Sequence, residues 1–360
     1  MKALLVDEKT LTFSKGELPI PQIGPDEVLV KVHAAALNHR DLNMPLFYKR
    51  MREQDASFPV STYAVGADGA GIIESIGSNV RSWSIGDSVI WSSLAYCGVC
   101  SACLLGQNVA CLKGNIMGST GLNGTVAQYV AVPAKLFIPK PEHLNVKESA
   151  ALSMGLGTAW RALITRGALQ PGETVLIQGI GGSVALFALQ IAVSMGARVI
   201  VTSSSDENLK QAMSLGAAAG INYQSEDVVE RVIDLTNGNG VDLVVDGGGS
   251  KTMPVAIQSV RDLGRVVNYG FVTGRTFTLD TYHLMIRQVS LIGTAMHTYS
   301  ELVSAVRFFS NAKLRPVISK VFSLEDSLQG VEHLESGSHF GKIVIQMDCL
   351  QTRICKNCQK

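Results

Sequence analysis

From Thr174 to Ile292, apolar runs of strand length alternate with segments of helix length, a pattern compatible with very few folds. The strand-like runs are Thr174 to Ile177, Arg198 to Thr202, Ile221 to Tyr223, Val241 to Val245, Arg265 to Tyr269 and Leu291 to Ile292. Between them lie the helix-length segments Ala185 to Met195, Glu207 to Leu215, Val228 to Leu235 and Met253 to Val260. Repeated βα units of this kind build a doubly wound parallel sheet with right-handed crossovers. The first half of the chain reads differently. Glu27 to Ala36, Gly71 to Ile76, Asp87 to Trp91 and Val126 to Val132 are short β-prone runs separated by Gly, Pro, Asn and Ser, the mark of a partly open β-barrel-like domain. After Thr294 the character is mixed again, with an amphipathic segment Glu301 to Phe309, a strand near Lys320 to Phe322, a helix near Asp326 to Leu334 and a last strand Lys342 to Gln346. The expected fold class is therefore α/β. A first domain spans 1–155, a parallel-sheet domain spans 156–293, 294–348 returns to the first domain, and 349–360 is a tail.

With 360 residues, 46% of them hydrophobic and 17% charged, the chain can bury two cores at about 100–200 residues each. A formal net charge of +1 offers no general attraction to nucleic acid, so a small molecule is the expected partner. Met1 to Asp7 turns polar too soon for a secretory segment. No run reaches the eighteen or so apolar residues that cross a bilayer. A cytoplasmic protein without a membrane partner is expected.

Cys97, Cys100, Cys103 and Cys111 stand in the spacing C-x2-C-x2-C-x7-C. Zn2+ takes four ligands tetrahedrally, and two-residue gaps let a tight loop turn successive sulfurs toward one point. Four thiolates leave no corner for water or substrate, so the expected ion is one structural Zn2+ in a lobe of about 92–120. A disulfide pair or unligated thiols are the alternatives, and disulfides are rare in a reducing compartment. Cys355 and Cys358 form a second C-x2-C pair beyond Cys349, read as a frayed tail without chemistry.

Val175 to Ala185, reading VLIQGIGGSVA, is a buried strand, a glycine turn and a helix start. Glycines permit positive φ and a close approach of backbone N–H groups to a pyrophosphate at the helix N-terminus. Candidate dinucleotide contacts are Gly179, Gly181, Gly182, Ser183 and Val184. The strict G-x-G-x-x-G pattern fails at Val184, whereas the frame Gly179-x-x-Gly182-x-x-Ala185 holds. An Asp or Glu about 20 residues on would bind the ribose of NAD. The strand here ends instead in Ser203-Ser204-Ser205, which favours NADP(H). NAD(H) stays open, because Asp206 and Glu207 follow and no arginine stands at the strand end.

The ordered motifs Gly24-Pro25-Asp26-Glu27-Val28, Asn38-x-x-Asp41, Gly66-x-Asp68-Gly69-Ala70-Gly71, Gly86-Asp87-x-Val89, the four cysteines, Thr158-Ala159-Trp160, Gly264 to Gly270 and Phe340-Gly341-Lys342-Ile343-Val344 resemble the medium-chain dehydrogenase/reductase superfamily. The branch is the zinc-type alcohol dehydrogenase-like and quinone oxidoreductase one, and the resemblance covers residues 1 to about 348. It implies a GroES-like catalytic domain, a Rossmann domain, hydride transfer with a nicotinamide cofactor in the cleft between them, and a homo-oligomer, dimer or tetramer. Relatives hold a catalytic zinc through a cysteine, a Gly-His-Glu histidine and a third cysteine or carboxylate. Asn38, Ala67 and Met154 stand at those places.

Catalytic zinc polarises a carbonyl or lowers the pKa of a bound alcohol. Without it, hydride addition to a conjugated enone, enal or quinone is the easier reaction, so an NADPH-dependent reductase is expected. An alcohol dehydrogenase or aldehyde reductase is the alternative, and an inactive NADPH-binding protein the more remote one. By the same resemblance, the loop Asn38 to Asp41 borders nicotinamide and substrate. Asn38 would hydrogen-bond the acceptor oxygen, and His39 or Arg40 would meet cofactor phosphate or developing charge. Tyr48 lies near a proton-donating tyrosine of some relatives, with a solvent-exposed or pocket-wall tyrosine as the alternative. Lys49, Arg50 and Arg52 could attract a CoA thioester, or form a solvated basic loop. Thr158 matches a residue packed beside nicotinamide, Tyr223 a tyrosine near the adenosine 2′-phosphate, and Gly270 lies in a matching motif. Asn208 replaces a phosphate-binding lysine, with Lys210 two residues later.

Overall fold

A computed structural model describes residues 1–347, so Cys349, Cys355 and Cys358 lie outside the described residues. The chain divides into two compact units. The first comprises Met1–Met154, Thr298–Val306 and the chain from Arg315; the second comprises Gly155–His297 and Arg307–Leu314.

In the first unit the Glu27–Leu37 strand is the organising element. Its inward positions Val28, Val30, Val32 and Ala34 are fully or almost fully buried, alternating with partly exposed neighbours, as a half-buried strand requires. It pairs antiparallel with Asp68–Ile76, Tyr129–Pro133 and Lys342–Gln346. Ser88–Trp91 and Phe137–Pro139 extend the sheet on one side, and Ile318–Ser323 joins Lys342–Gln346 in parallel on the other. Register shifts at Leu29/Val30 and Val32/Ala34 bend the central strand. A smaller sheet orders Phe13–Glu17, Lys2–Val6 and Tyr63–Ala64. The C-terminal return is thus physical strand pairing with a segment some 300 residues away, and it places Ile343 opposite Leu37 and Asp68 opposite Ala36.

The second unit is a six-stranded parallel sheet. Its order is Ala219–Asn222, Arg198–Ser203, Thr174–Ile177, Val241–Asp246, Val260–Asn268 and Ser290–Gly293. Chain order 3-2-1-4-5-6 puts a switch point beside the carboxyl end of Thr174–Ile177, where ligands bind in open α/β sheets. Its core joins Leu176, Ile200, Ile221, Val244 and Val266 to Val232, Met253 and Ala256 of the crossover helices.

One expectation is corrected. Asn38 to Asp41 is not a loop: Asn38 caps a sixteen-residue helix, His39–Gln54. Asp41 accepts the Asn38 backbone N–H at 2.8 Å, a capping-box contact that satisfies an otherwise orphaned donor. Pro45 lies inside this helix, where proline ordinarily breaks one, which is why its sequence reads as irregular. Among the described residues no helix is long and apolar enough to cross a membrane.

Candidate active site

The sheet register of the first unit brings the ends of three strands together. Asn38 follows the last residue of Glu27–Leu37, Asp68 begins Asp68–Ile76, and Lys342 begins Lys342–Gln346. Their side chains form one buried network. Asn38 Nδ2 donates to Asp68 Oδ2 at 3.0 Å, and the Lys342 ammonium donates to Asn38 Oδ1 at 2.7 Å, Asp68 Oδ2 at 2.8 Å and the Leu37 carbonyl at 3.2 Å. Asp68 Oδ1 accepts the Met154 backbone N–H at 2.8 Å. Asp68 is fully buried and Lys342 is 2% exposed. Such a pair is tolerated only because every donor of the ammonium has an acceptor and the carboxylate is bonded on both oxygens.

Asn38, Ala67 and Met154 therefore gather around Asp68. Their side chains are an amide held at both ends, a methyl group and a thioether, in place of the thiolates, imidazole or carboxylate that Zn2+ favours. Asp68 and Lys342 carried no role in the sequence reading beyond membership of a motif. A buried Asp directly after the Gly66-Ala67 pair was the available signal for the first; nothing local signals the second.

The Arg40 side chain is engaged by the protein. Its guanidinium donates to Asp41 Oδ1 at 3.1 Å, the Met117 carbonyl at 3.1 Å, the Gly118 carbonyl at 3.4 Å and Ser119 Oγ at 2.8 Å. It clamps the segment that leaves the cysteine lobe onto the helix start. Burial raises the pKa of Asp41, and the neighbouring Arg40 opposes that rise. Tyr48 is buried, in ring contact with Phe47, Phe58 and Tyr63, and its hydroxyl accepts the Thr120 N–H at 3.0 Å. It is neither solvent-exposed nor directed at the Asn38 network, and the proton-donor expectation gains no contact from it. His39 is exposed at the first helical position, and packing around its ring lowers its pKa. Lys49 and Arg50 are exposed on the helix, whereas Arg52 donates to the carbonyls of Glu8, Phe58 and Val60.

In the second unit the glycine turn lies at the switch point. Gln178 N–H donates to the Val245 carbonyl at 3.1 Å; Gly179 N–H donates to Thr202 Oγ1 at 3.0 Å and Ile180 N–H to the Thr202 carbonyl at 2.7 Å. Gly179 has φ +72° and Gly181 has φ +153°, while a Cβ at Gly179 or Gly182 would point into open space. Gly182 precedes the twelve-residue helix Ser183–Ser194, and Ser183 and Val184 form its first, partly exposed turn. A pyrophosphate fits this cradle, where the open glycine turn meets the positive end of the helix dipole. At the next strand end Ser203 is buried and accepts the Ser205 N–H at 3.1 Å, while Ser204 is exposed. Tyr223 is 48% exposed and its N–H donates to the Ser203 carbonyl at 3.1 Å. Asp206 Oδ1 accepts from Asn222 Nδ2 at 2.6 Å, and Glu207 accepts from Gln211 at 3.2 Å. Asn208 contributes its N–H to the Ser205 cap at 3.3 Å. Thr158 is buried in the Ser153–Trp160 helix. Gly270 lines a cavity of about 340 Å³ with Asn268, Phe271, Leu291 and Ile292.

The four cysteine sulfurs lie within 4.8 Å of one another. Cys97 to Cys111 is 3.5 Å, Cys100 to Cys111 3.9 Å and Cys97 to Cys103 4.0 Å. A tetrahedron with Zn–S bonds of 2.3 Å has edges of about 3.8 Å, whereas a disulfide needs about 2.05 Å. The N–H groups of Val99 and Cys100 pull the Cys97 thiol down to about 6, while burial, with a contribution from the neighbouring sulfurs, pushes Cys103 up to about 12. Four thiolates in this volume fit a cation at their centre. The ribbon Leu94–Ala95 with Asn115–Ile116 closes the lobe at its base.

Residues 24–142 match the alcohol dehydrogenase GroES-like domain, and residues 183–311 match the zinc-binding dehydrogenase family. A zinc-type alcohol dehydrogenase-like protein of Schizosaccharomyces pombe is 34% identical over 92% of this chain and 94% of its own. An acryloyl-coenzyme A reductase of Sulfurisphaera tokodaii is 26% identical over 96% of this chain and 100% of its own. The crystal structure of an NAD-dependent alcohol dehydrogenase superposes with a TM-score of 0.88 at 34% identity, covering 97% of this chain and 100% of that one. With both domain families matched in order and a relative aligned along nearly the whole length, the chain belongs to the medium-chain dehydrogenase/reductase superfamily, in its zinc-type alcohol dehydrogenase-like branch, and is an NAD(P)-dependent oxidoreductase.

Proposed function

We propose that the chain reduces a conjugated acceptor, an enone, enal, quinone or enoyl thioester, with NADPH and without a catalytic metal. The observation that carries this reading is the donor set Asn38, Ala67 and Met154 around Asp68, with Asn38 held in a hydrogen-bonded network by Lys342. Reduced nicotinamide, when bound, supplies a hydride. On a conjugated acceptor the resulting negative charge is delocalised onto the carbonyl oxygen, so a hydrogen-bond donor can take part of the work that an isolated carbonyl leaves to a Lewis acid. Asn38 is that donor here, because one of its two Nδ2 hydrogens is not needed by Asp68. NADPH is favoured over NADH because the strand ends in Ser203 and Ser204, while the carboxylates of Asp206 and Glu207 are engaged by Asn222 and Gln211. An acryloyl-coenzyme A reductase among the relatives fits the acceptor class, and exposed Lys49 and Arg50 fit an anionic thioester.

The same reading assigns one structural Zn2+ to Cys97, Cys100, Cys103 and Cys111, the first unit to catalysis and the second to the dinucleotide, and expects a homo-oligomer. It is tested by NADPH and NADH oxidation with the zinc-quantified protein against matched enones, quinones, enoyl thioesters and saturated aldehydes. Turnover of the conjugated acceptors with one zinc per chain is the expected result. Turnover confined to saturated aldehydes, or a second zinc required for it, overturns the reading in favour of an alcohol dehydrogenase, the name borne by several relatives.

A further inference from the structure

We propose that Lys342 and Asp68 are positioning residues that lock the Asn38 side chain in one orientation, so that it presents an N–H donor to the acceptor oxygen. This inference rests on the reading of Asn38 given above. A free asparagine amide can turn over and exchange its oxygen for its nitrogen at little cost. Here it cannot. Lys342 is an ammonium with no acceptor capacity, and it faces one end of the amide at 2.7 Å; Asp68, when ionised, has no donor and faces the other end at 3.0 Å. Only the arrangement with Oδ1 toward Lys342 and Nδ2 toward Asp68 satisfies both. Turning the amide over would set N–H against ammonium and oxygen against carboxylate in a buried place, where each unpaired group costs its full desolvation penalty.

The consequence is selective. The remaining Nδ2 hydrogen can stabilise a carbonyl or enolate oxygen, while Oδ1 stays turned toward the Lys342 ammonium. Asp68 and Lys342 are too buried to touch substrate themselves, at 0% and 2% exposure. Other charges facing the pair are Asp41, the far carboxylate of the helix start, with Arg40 bonded to it, and His339, which interacts with Lys342 and with His39. None of them is bonded to Asp68.

The test compares Lys342→Met, the uncharged pair Lys342→Met/Asp68→Asn, and Asn38→Ala, with kcat, KM and NADPH Kd measured across pH. The double variant removes both buried charges together, which proteins commonly tolerate, and should fold even if Lys342→Met does not. Its amide is free to turn, so kcat should fall roughly 10- to 100-fold at unchanged NADPH Kd. Lys342→Met should likewise lower kcat at unchanged NADPH Kd, because Oδ1 of Asn38 loses the ammonium that holds it. If the double variant keeps its kcat, or if NADPH Kd rises in step with the loss, the positioning role is overturned. If Asn38→Ala leaves kcat unchanged, the reading of Asn38 itself has failed. An Asn38→Ala loss of tenfold or more beside an unaffected double variant would sink the positioning role alone.

Discussion

At the scale of single residues, charge placement decides the chemistry. Asp41 and Asp68 are both buried and each faces a cation, Arg40 and Lys342 respectively. For Asp41, burial lifts the folded-state pKa above the ordinary value. A carboxyl with a raised folded pKa adds stability below its unfolded pKa and loses that contribution as pH rises through the folded value. Arg40→Ala removes the opposing cation and raises Asp41 further. The variant should therefore be destabilised by about 2–4 kcal/mol at neutral pH, and less so near pH 5, as read by denaturant melts at the two pH values. A deficit that is the same at both would show that Arg40 acts through its carbonyl contacts alone. On the cofactor side, Ser203→Asp should weaken NADPH by at least roughly tenfold relative to NADH, equivalent to 1.4 kcal/mol. Equal weakening of both in a fluorescence titration would place the 2′-phosphate elsewhere.

Among the elements, the helix His39–Gln54 links the site to its surroundings. Its first turn carries Asn38, Arg40 and Asp41, while Tyr48, further along, buries its ring among Phe47, Phe58 and Tyr63 and bonds Thr120. Arg40 and Tyr48 thus hold 117–120, the stretch that leaves the cysteine lobe. The sequence reading found the central strands and crossover helices closely, because Thr174–Ile177, Val228–Leu235 and Lys342–Gln346 are marked by strong apolar periodicity and by turn residues at their ends. It missed this helix because Pro45 sits inside it and its polar residues follow no clear helical face. The expected roles of Arg40 and Tyr48 were affected for the same reason. Both side chains turn toward the protein once the segment is helical.

For the molecule as a whole, the parallel sheet and the cysteine lobe depend on different kinds of cohesion. The parallel sheet is stabilised by a continuous apolar core, whereas the cysteine lobe is built from a two-stranded ribbon, two short helical turns and four sulfurs within 4.8 Å. Chelation with verified loss of zinc should lower the thermal midpoint by roughly 5–10 °C and open 97–115 to limited proteolysis, with NADPH affinity retained. Full retention of the midpoint after metal loss would contradict a structural ion.

The glycine turn, the metal-ligand spacing and the alternation of strands and helices are local features, and the sequence by itself determined them because backbone geometry and ligand reach act over a few residues. The Asn38–Asp68–Lys342 network was decided only by tertiary structure. Its members are separated by 30 and 274 residues, and they meet because antiparallel register sets Ile343 against Leu37 and Ala36 against Asp68. A buried charge shows its purpose only when its partner is known, and that partner is supplied by strand pairing rather than by neighbouring sequence.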